Sequence, residues 1–507
     1  MQRGLLLAGA ILAGLVGGAM PSWAQKSADT LRIAWRDAIP DVDPYDNALH
    51  SGLVLAHQAW DTLVDRDPVT FTIEPLLATS WKWVDPTTLE FTLRQGVTFQ
   101  NGDPFTADDV VYTIDTITAP DSKVSVPSNF AWIAGAAKID AYHVEIRLKR
   151  VFPAALQYLA MVVPIYPKAY REKVGAAGYA EKPIGAGPYE ITRVDGVSEI
   201  DLRRFAGYYA GSPKGVPKIA NIVIKEVPDE TTAMTLLIGG QADWIWQYSA
   251  DQFNDLQRLP GLTVMRAETM RIGFIAMDAA GRSGRNDPFT HLAVRQALAY
   301  AVDRAAIATN LVQGNARVID APCYPSQFGC VQSAAVRYDY DPAKARSLLA
   351  AAGYPHGFDT ILVTDILPEW AAALQNYLAA VGIRARIDEL QAGARLRMAE
   401  SGAAPLNATN WGSYSISDVS AILPYFFAGG PDDYARDPEV AKMITLGDTT
   451  IEPKAREQDY AASIHRITAQ MYMLPLNTYV DTYAFSKDLA FTPYPDEIPR
   501  FYLSYWK

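Results

Sequence analysis

The residues best suited to hold a small solute lie together in the short segment NWGSYSISD, residues 410–418. Trp411 and Tyr414 offer flat aromatic surfaces, and Asp418 offers a negative charge. Gly412 has no side chain, so a ligand can approach the backbone closely there. Because the segment separates two predicted helical regions, we interpret it as a ligand-binding loop. The alternative is that both aromatic residues are ordinary packing residues.

A second group of aromatic residues follows a predicted helix, in the segment WIWQY at residues 244–248. Trp246 and Gln247 combine a flat surface with polar edges, which suits contact with a polar ligand. Trp244 and Ile245 fit better as an apolar plug between a helix and a sheet. The segment therefore offers either a surface for a ligand or such a plug.

The sequence contains no motif typical of catalysis, of a cofactor or of a metal site. It has no Gly-x-Ser-x-Gly elbow and no P-loop, and the turn Gly185-Ala186-Gly187 lacks the third glycine of a dinucleotide fingerprint. The histidines have no metal-ligand spacing; they stand at positions 50, 57, 143, 291, 356 and 465. We expect no catalytic residue, no cofactor and no metal held by the protein, while a metal carried by the ligand stays open.

Cys323 and Cys330 are the two cysteines of the chain, and they stand close together in a segment with Pro and Gly. An oxidising compartment outside the cytoplasm favours a disulfide between them. The alternative is a pair of reduced thiols in a loop. Because the two residues are close and export is expected, we predict the disulfide. Because no histidine is near in sequence, we predict no metal site.

Residues 1–24 have the features of a cleaved secretory signal. Arg3 supplies a positive start, Leu5–Ala19 is apolar, and small residues precede the expected cleavage before Gln25. The alternative is a membrane anchor, but the apolar run is short for a bilayer span. We therefore expect export to the periplasm.

Length and charge limit the class of protein. A chain of 507 residues, of which 49% are hydrophobic, is too long for one core and predicts two or three lobes. The net charge is -11. Such an acidic balance argues against a nucleic-acid or anionic-membrane partner and says nothing about small ligands.

Apolar periodicity and turn residues predict an alternation of strands and helices. The predicted strands include Thr30–Trp35, Thr88–Arg94, Glu199–Arg204 and Ile219–Val227. Thr106 and Asp109 predict a capping box at the start of a helix. Thr290–Val312 has the pattern of one long helix that ends before Gly314.

Several motifs occur in an order that resembles solute-binding protein family 5, the peptide and nickel type that feeds ABC importers. The matching motifs are PIGAGPY (183–189), YYAGSP (208–213), GGQAD (239–243), VRQALAYAVDR (294–304) and YDPAKARSLLAAAGY (340–354). The resemblance covers essentially the whole chain after the signal segment, and several separate motifs make it specific.

The resemblance implies an α/β fold like that of type II periplasmic binding proteins. It consists of two α/β domains joined by two crossover strands, at 271–278 and 477–485, plus an extra inserted α/β lobe. The implied limits are 25–48, 182–277 and 482–507 for domain I, 49–181 for the inserted lobe and 278–481 for domain II. A ligand that bridges both domains would close them by a hinge motion.

The resemblance also assigns roles within the loop at 410–418. In the peptide-binding members a Trp at the position of Trp411 stacks on the ligand, and an Asp three residues later pairs with the peptide's α-ammonium. Here Tyr414 occupies the Asp position, and Asp418 follows four residues further on. A phenol cannot neutralise an ammonium at neutral pH. We therefore expect ligands whose amine is blocked, absent or differently placed.

Other positions match the family less securely. Trp246 and Gln247 fall where peptide binders use Tyr and Asn to contact the ligand, so the resemblance implies ligand contact for both. Asn47 and Tyr479 match residues that line the cleft. Phe130 and Trp132 would close the mouth of the cleft from the inserted lobe or would belong to its core; both alternatives stay open.

The function implied is capture of a small peptide or peptide-like solute in the periplasm and its delivery to the permease of an ABC importer. We expect a monomer that is not an enzyme. One alternative is an exported hydrolase that uses acids such as Asp243 and Asp418. Another is a ligand-binding sensor partner of a membrane receptor.

Overall fold

The structure is a computed structural model that describes residues 29–37, 39–47, 49–196, 198–312, 316–366 and 368–507. Its strands are β1 (Thr30–Trp35), β2 (Val64–Arg66), β3 (Ile73–Pro75), β4 (Ala78–Asp85), β5 (Thr88–Leu93), β6 (Ile133–Asp140), β7 (His143–Leu148), β8 (Tyr189–Asp195), β9 (Glu199–Arg204), β10 (Asn221–Glu226), β11 (Trp244–Trp246), β12 (Leu262–Met277), β13 (Phe358–Thr364), β14 (Ile383–Glu389), β15 (Leu406–Trp411), β16 (Met473–Ser486), β17 (Leu489–Ala490) and β18 (Tyr505–Trp506). The predicted signal segment, residues 1–24, lies outside the described residues.

Helices alternate with these strands along most of the chain. They are α1 (His50–Ala59), α2 (Ala107–Thr118), α3 (Ala155–Val162), α4 (Lys168–Glu181), α5 (Glu230–Ile238), α6 (Ala250–Gln257), α7 (Leu292–Ala301), α8 (Arg304–Ile307), α9 (Pro342–Ala351), α10 (Pro368–Ala380), α11 (Ala392–Glu400), α12 (Leu423–Phe427), α13 (Pro438–Thr449) and α14 (Pro453–Ala469). Among the described residues we find no helix long and apolar enough to cross a bilayer.

One mixed sheet runs through the whole molecule in the order β14-β13-β15-β12-β16-β11-β1-β10-β9-β8. Its two central strands, β12 and β16, are antiparallel and unusually long, with 16 and 14 residues. The first part of β12 pairs with the end of β16, and the pairing is interrupted between Glu268 and Ile272 before it resumes. The α/β fold with two domains and two crossover strands is thus confirmed.

The crossover strand β12 is buried on both faces in its second half. Ile272, Phe274 and Ala276 belong to one hydrophobic cluster, whereas Ile275 and Met277 belong to another. Side chains alternate sides along a strand, so a continuous apolar run supplies a core on each face of the sheet. The sequence therefore reads RIGFIAM rather than an apolar and polar alternation.

The inserted lobe contains an antiparallel sheet in the order β4-β5-β7-β6. Its buried residues, such as Phe91 and Ile146, belong to the same hydrophobic cluster as Leu31 and Ile33 of β1. The lobe therefore shares a core with the domain that carries it. The residue limits of the domains stay predictions.

Local rules explain several helix starts. Thr106 and Asp109 form the predicted capping box before α2, in which each side chain accepts from a backbone N–H group. Asp341 caps α9 by accepting from the Lys344 N–H at 2.9 Å, and Pro342 occupies the first turn. These helices therefore begin where the sequence places the cap.

The prediction of one long helix over Thr290–Val312 is wrong. Helix α7 ends at Ala301, and Val302 is extended. Asp303 then caps α8 by accepting from the Ala306 N–H at 2.9 Å. The apolar periodicity continues across the break, but a residue that can cap a new helix competes with continuation of the old one.

The turn Gly185-Ala186-Gly187 has a packing role. A Cβ atom at Gly185 would lie 2.1 Å from the Ala59 carbonyl oxygen, and one at Gly187 would lie 2.4 Å from the Ala59 carbonyl carbon. The glycines therefore let this turn contact the end of α1 directly. This contact positions the helix whose first residue, His50, reaches the site described next.

Candidate functional site

The candidate site lies where β12 and β16 pass from one domain to the other. At the interruption of their pairing, Met270 donates its N–H to the Pro495 carbonyl at 2.7 Å, which brings the C-terminal segment alongside. We call the group formed by His50, Trp246, Arg271, Asp481 and Glu497 the crossover cluster. Its members come from α1, β11, both crossover strands and the C-terminal segment.

Arg271 connects the two sides of the crossover cluster. Its Nε and Nη2 donate to the two Glu497 carboxylate oxygens, each at 2.8 Å, and Nη1 donates to Asn410 Oδ1 at 2.6 Å. The Asn410 amide in turn donates to the Tyr479 hydroxyl at 3.3 Å. The guanidinium thus ties the C-terminal segment to the start of the 410–418 loop.

Asp481 lies beside this pair and is only 5% exposed. Its side chain contacts Glu497 and Gln247, yet its Oδ2 atom has no hydrogen-bond partner within the described part of the chain. Burial first, and then the neighbouring Glu497 carboxylate, raise the pKa of Asp481 well above its ordinary value. Although burial opposes ionisation of Glu497 too, Arg271 keeps the pKa of Glu497 below its ordinary value. Asp481 is therefore the carboxyl group that holds the proton.

His50 and Trp246 form an aromatic wall next to the carboxyl groups. Their rings stack with centroids 5.6 Å apart and an interplanar angle of 23°. His50 Nε2 lies 3.9 Å from Glu497 Oε2, which is too far for a hydrogen bond. Neither His50 ring nitrogen nor Trp246 Nε1 has a hydrogen-bond partner in the ranges that the structure describes. Burial lowers the pKa of His50, so its ring is neutral and can accept as well as donate.

The loop 410–418 approaches the crossover cluster at Glu497, because a Cβ atom on Gly412 would lie 3.2 Å from Glu497 Oε2. Trp411 stacks on Tyr425 with centroids 4.5 Å apart, and Tyr414 meets the same indole edge-on at 5.0 Å. Ser413, Tyr414 and Ser415 all have positive φ, at 52°, 48° and 58°. Non-glycine residues rarely adopt this conformation, so three in succession require firm support from their surroundings.

That support comes from a buried charge network. Ser415 Oγ donates to the Asp496 carbonyl at 2.5 Å, and its own carbonyl accepts from Arg66. Arg66 and Arg500 both bind the Asp496 carboxylate, at 2.9 and 2.8 Å. Because Arg66 belongs to β2, the turn of domain II is attached to the inserted lobe and to the C-terminal segment.

Asp418 lies in a different environment from the predicted one. Its two carboxylate oxygens accept from Arg456 at 2.7 and 2.9 Å, and Oδ1 also accepts from the Ser420 N–H at 2.9 Å. The residue is 3% exposed. Its charge is therefore neutralised inside domain II, which does not favour the predicted contact with a ligand.

In the structure Cys323 and Cys330 are joined by a disulfide. The short loop that it closes pairs with the binding loop: Phe328 donates to the Ser417 carbonyl at 3.1 Å and accepts from the Val419 N–H at 3.1 Å. Gln327 Nε2 also donates to the Ile416 carbonyl at 2.8 Å. The disulfide thus stabilises a loop that directly supports the candidate site.

The remaining predicted site residues occupy different places. Gln247 follows Trp246, donates its N–H to the Thr482 carbonyl at 2.8 Å and contacts Asp481, so it borders the crossover cluster. Tyr479 packs on Trp370 at 4.9 Å and accepts from Asn410.

Asn47 lies apart from the crossover cluster, in a small cavity of about 40 Å³ whose lining includes Tyr45, Phe130 and Tyr414. Its side chain is used in a turn, donating to the Asp41 carbonyl and accepting from the Leu49 N–H. Trp132 stacks on Phe152 at 5.2 Å and is 4% exposed, which places it in the core of the lobe.

The sequence interpretation missed His50, Arg271, Asp481 and Glu497. Arg271 directly precedes the apolar run IGFIAM of β12, and Asp481 is the one acidic residue of β16, so each is a signal that could have been used. Glu497 lies in an irregular segment without a motif. Among the described residues, no group of three or more His, Cys, Asp or Glu side chains is arranged to hold a metal ion.

Comparison with known proteins gives a consistent family. The sequence profile of the bacterial extracellular solute-binding proteins, family 5 (middle), matches residues 72–433. The glutathione-binding protein GsiB of Salmonella typhi is 30% identical over 366 residues, which cover 70% of this chain and 68% of the relative.

Solved structures share the fold. The dipeptide binding protein of Pseudoalteromonas sp. SM9913, in complex with Met-Leu, superposes with a TM-score of 0.84 at 21% identity, covering 94% of this chain and 100% of the other. The binding protein AgaA of A. tumefacien, in complex with agropinic acid, superposes with a TM-score of 0.81 at 25% identity, covering 94% and 98%.

Proposed function

Because the chain belongs to the bacterial extracellular solute-binding proteins of family 5, we propose that it captures a small peptide or peptide-like solute between its domains for an ABC importer. One observation carries this proposal. His50, Trp246 and Asp481, which belong to the crossover cluster, each have a buried polar atom without a hydrogen-bond partner among the described residues. Buried polar groups are normally hydrogen-bonded, so a polar ligand would supply the missing partners.

The two tryptophans lie on different halves of the large sheet. Trp246 lies in β11 on the domain I half of the sheet, and Trp411 lies at the end of β15 on the domain II half. Aromatic faces provide apolar area without competing for the polar groups of a peptide backbone. A solute held between them would stabilise the closed arrangement of the two domains, which the permease would then recognise.

The exported-hydrolase alternative receives no support from its own candidate acids. Asp243 accepts from Arg32 Nε at 2.9 Å and Nη2 at 2.8 Å, and Asp418 is bound by Arg456 in the same two-point manner. A carboxylate whose two oxygens are both occupied by a guanidinium has no free oxygen directed at a substrate, so it is poorly placed to act as a general acid or base. We therefore propose a binding protein without catalytic activity.

Location and partners follow from the proposed role. The signal-like segment at 1–24 supports export to the periplasm, where the disulfide between Cys323 and Cys330 is stable. The partners would be the solute and the permease subunits in the inner membrane. The protein would act as a monomer.

Small-angle X-ray scattering and calorimetry test this function together. Glutathione, Met-Leu and agropinic acid are suitable probes, because relatives of the same fold are described as binding them. At least one probe should bind and reduce the radius of gyration.

Trp246→Ala combined with Trp411→Ala should abolish both effects. Trp83→Ala is the matched control, since Trp83 is 39% exposed on the edge strand β4 of the inserted lobe. Binding without any change of the radius would contradict closure, and absence of binding to every probe would contradict the proposed function.

A further inference from the structure

We propose that the captured solute carries a cationic nitrogen and that Asp481 is the carboxylate that binds it. This inference rests on the proposed function and specifies its ligand class. The crossover cluster brings together two buried carboxyl groups, Asp481 and Glu497, and Arg271 is the cation that faces both within the described part of the chain. All three of its nitrogen atoms are used, two on Glu497 and one on Asn410. These hydrogen bonds leave Asp481 without a bound cation among the described residues, so its ionised form would lack a partner of opposite charge.

Four other arginines are each paired with a carboxylate other than Asp481. Arg66 and Arg500 bind Asp496, Arg317 binds Glu268 at 2.6 Å, and Arg395 binds Asp365 at 3.0 Å. A buried carboxylate without a partner is costly, so folded proteins pair it or protonate it. A cation brought by the solute would complete the cluster.

The surroundings of Asp481 suit an ammonium group. The His50 ring stacks on Trp246 and lies beside Glu497, with Nε2 at 3.9 Å from Glu497 Oε2, so an aromatic side chain borders the carboxyl groups. The neutral His50 ring and the amide side chain of Gln247 add polar contacts at the same point. Two carboxyl groups, an accepting ring nitrogen and an aromatic face are together a cation site.

The position of Asp481 also resolves the open question of the 410–418 loop. Tyr414 cannot neutralise an ammonium, and Asp418 is already bound by Arg456. The anchoring charge would therefore come from a crossover strand instead of the domain II loop. Among the three outcomes expected from sequence, a blocked, absent or displaced amine, this selects the displaced amine. Glutathione has such an amine, because its ammonium is next to a free carboxylate and not to a peptide bond.

Binding of the cation has a measurable proton balance. In the ligand-free protein Asp481 holds a proton, in keeping with its raised pKa. When an ammonium group takes its place beside the carboxyl group, Asp481 ionises and the proton goes to the buffer. Up to one proton per solute is then released, and this number follows from binding enthalpies measured in two buffers of different ionisation enthalpy.

The test compares matched ligand pairs and matched variants by calorimetry. The pairs are glutathione with its deaminated analogue glutaryl-cysteinylglycine, and Met-Leu with its deaminated analogue. Each analogue replaces the ammonium by hydrogen without added bulk. The variants are Asp481→Asn, which keeps the shape and removes the charge, and Glu268→Gln as the control. Glu268 lies on the paired crossover strand and already has Arg317 as its partner.

For a ligand that binds, we expect the amine-bearing member to bind more tightly than its analogue. Asp481→Asn should weaken it about 30-fold or more and abolish proton release, since loss of a buried charge partner has an effect of this size. Glu268→Gln should bind like the wild type. Equal binding of both members of a pair, or unchanged binding to Asp481→Asn, would overturn the inference and leave the proposed function intact. Failure of the wild type to bind all four compounds would overturn both.

Discussion

Asp418 and Asp481 are equally well buried, at 3% and 5% exposure, but their surroundings differ. Asp418 receives two hydrogen bonds from Arg456 and one from the Ser420 N–H. Asp481 contacts another carboxyl group and an amide, and its Oδ2 atom lacks a partner in the described ranges. Burial therefore does not separate a structural acid from a ligand-binding one. The number of cations available to each carboxylate does separate them. This difference can be tested by changes at Asp418 and its cation and by changes at Asp481.

The largest effect should follow removal of the cation from Asp418. Arg456→Met leaves a buried carboxylate without its partner and should lower the free energy of unfolding by about 3–5 kcal/mol. Urea denaturation measures the loss. The double variant Asp418→Asn with Arg456→Met should recover part of it, because no charge then stays unpaired. If the single and double variants were equally unstable, packing of Arg456 on Phe328 would be the main contribution, and Asp418 would not be a charge that needs compensation.

The second effect concerns the support of the binding loop. Replacement of both Cys323 and Cys330 by Ser should cost about 2–3 kcal/mol of unfolding free energy, as expected for a bond that closes a short loop. The change should also weaken solute binding, since Phe328 hydrogen-bonds on either side of Asp418, to residues 417 and 419. A reducing agent should lower the unfolding free energy and the solute affinity of the wild type. It should leave both quantities unchanged in the double Ser variant. Equal solute affinity with and without the disulfide would show that the binding loop keeps its shape without the disulfide.

Much of the fold could be predicted because the relevant signals are local. Thr106 with Asp109, and Asp341 with Pro342, mark helix starts within a few residues of sequence, and β1 has the predicted bounds Thr30–Trp35. The break after Ala301 was missed because the apolar pattern does not stop there. The competing cap at Asp303 depends on a balance between two local hydrogen-bond arrangements, which periodicity does not measure.

The candidate site also contains residues that local sequence signals single out and residues that they do not. Trp246 and Trp411 could be singled out because aromatic residues beside Gly and polar residues form recognisable short segments. The charge pattern of the crossover cluster could not, since Arg271, Asp481 and Glu497 belong to three separate segments that meet only after folding. The same holds for Asp418, whose partner Arg456 is 38 residues away in sequence. Whether an acid is paired is a tertiary property.

A third prediction concerns the domain II side of the site. Trp411→Ala should weaken solute binding by roughly 1–3 kcal/mol if the indole stacks on the ligand. Its stacking partner Tyr425 covers one face at 4.5 Å and would hold the ring in place. Trp411→Phe should retain part of the affinity, because a smaller aromatic face remains. Calorimetry with glutathione measures the difference, and an unchanged affinity of Trp411→Ala would assign Trp411 to packing.

The smallest effect on stability should come from Asp481→Asn, because Asp481 can relieve its burial by taking up a proton. The pKa of Asp481 is raised in the folded protein, so the folded state binds this proton more tightly than the unfolded state does. The resulting stabilisation is fully present below the unfolded pKa and is lost as pH rises through the folded pKa. Asn cannot ionise, so the variant should match the wild type at low pH and become the more stable of the two as pH rises.

Urea denaturation between about pH 4 and pH 9 tests this sign. Glu497 acts in the opposite direction, because its lowered pKa gives stability that is lost as pH falls. Since the hydrogen bond with Asp481 contributes to that lowering, the two proteins are compared on the alkaline side of the range, where Glu497 is ionised in both. The other titratable or charged groups that interact with Asp481 are common to both proteins: Arg271, Tyr479 and Tyr483. A saturating amine-bearing solute should reverse the order at high pH, since it supplies the cation that only the wild type can use. A stability difference that stayed constant with pH would mean that Asp481 does not hold a proton, and the contrast with Asp418 would then have no electrostatic basis.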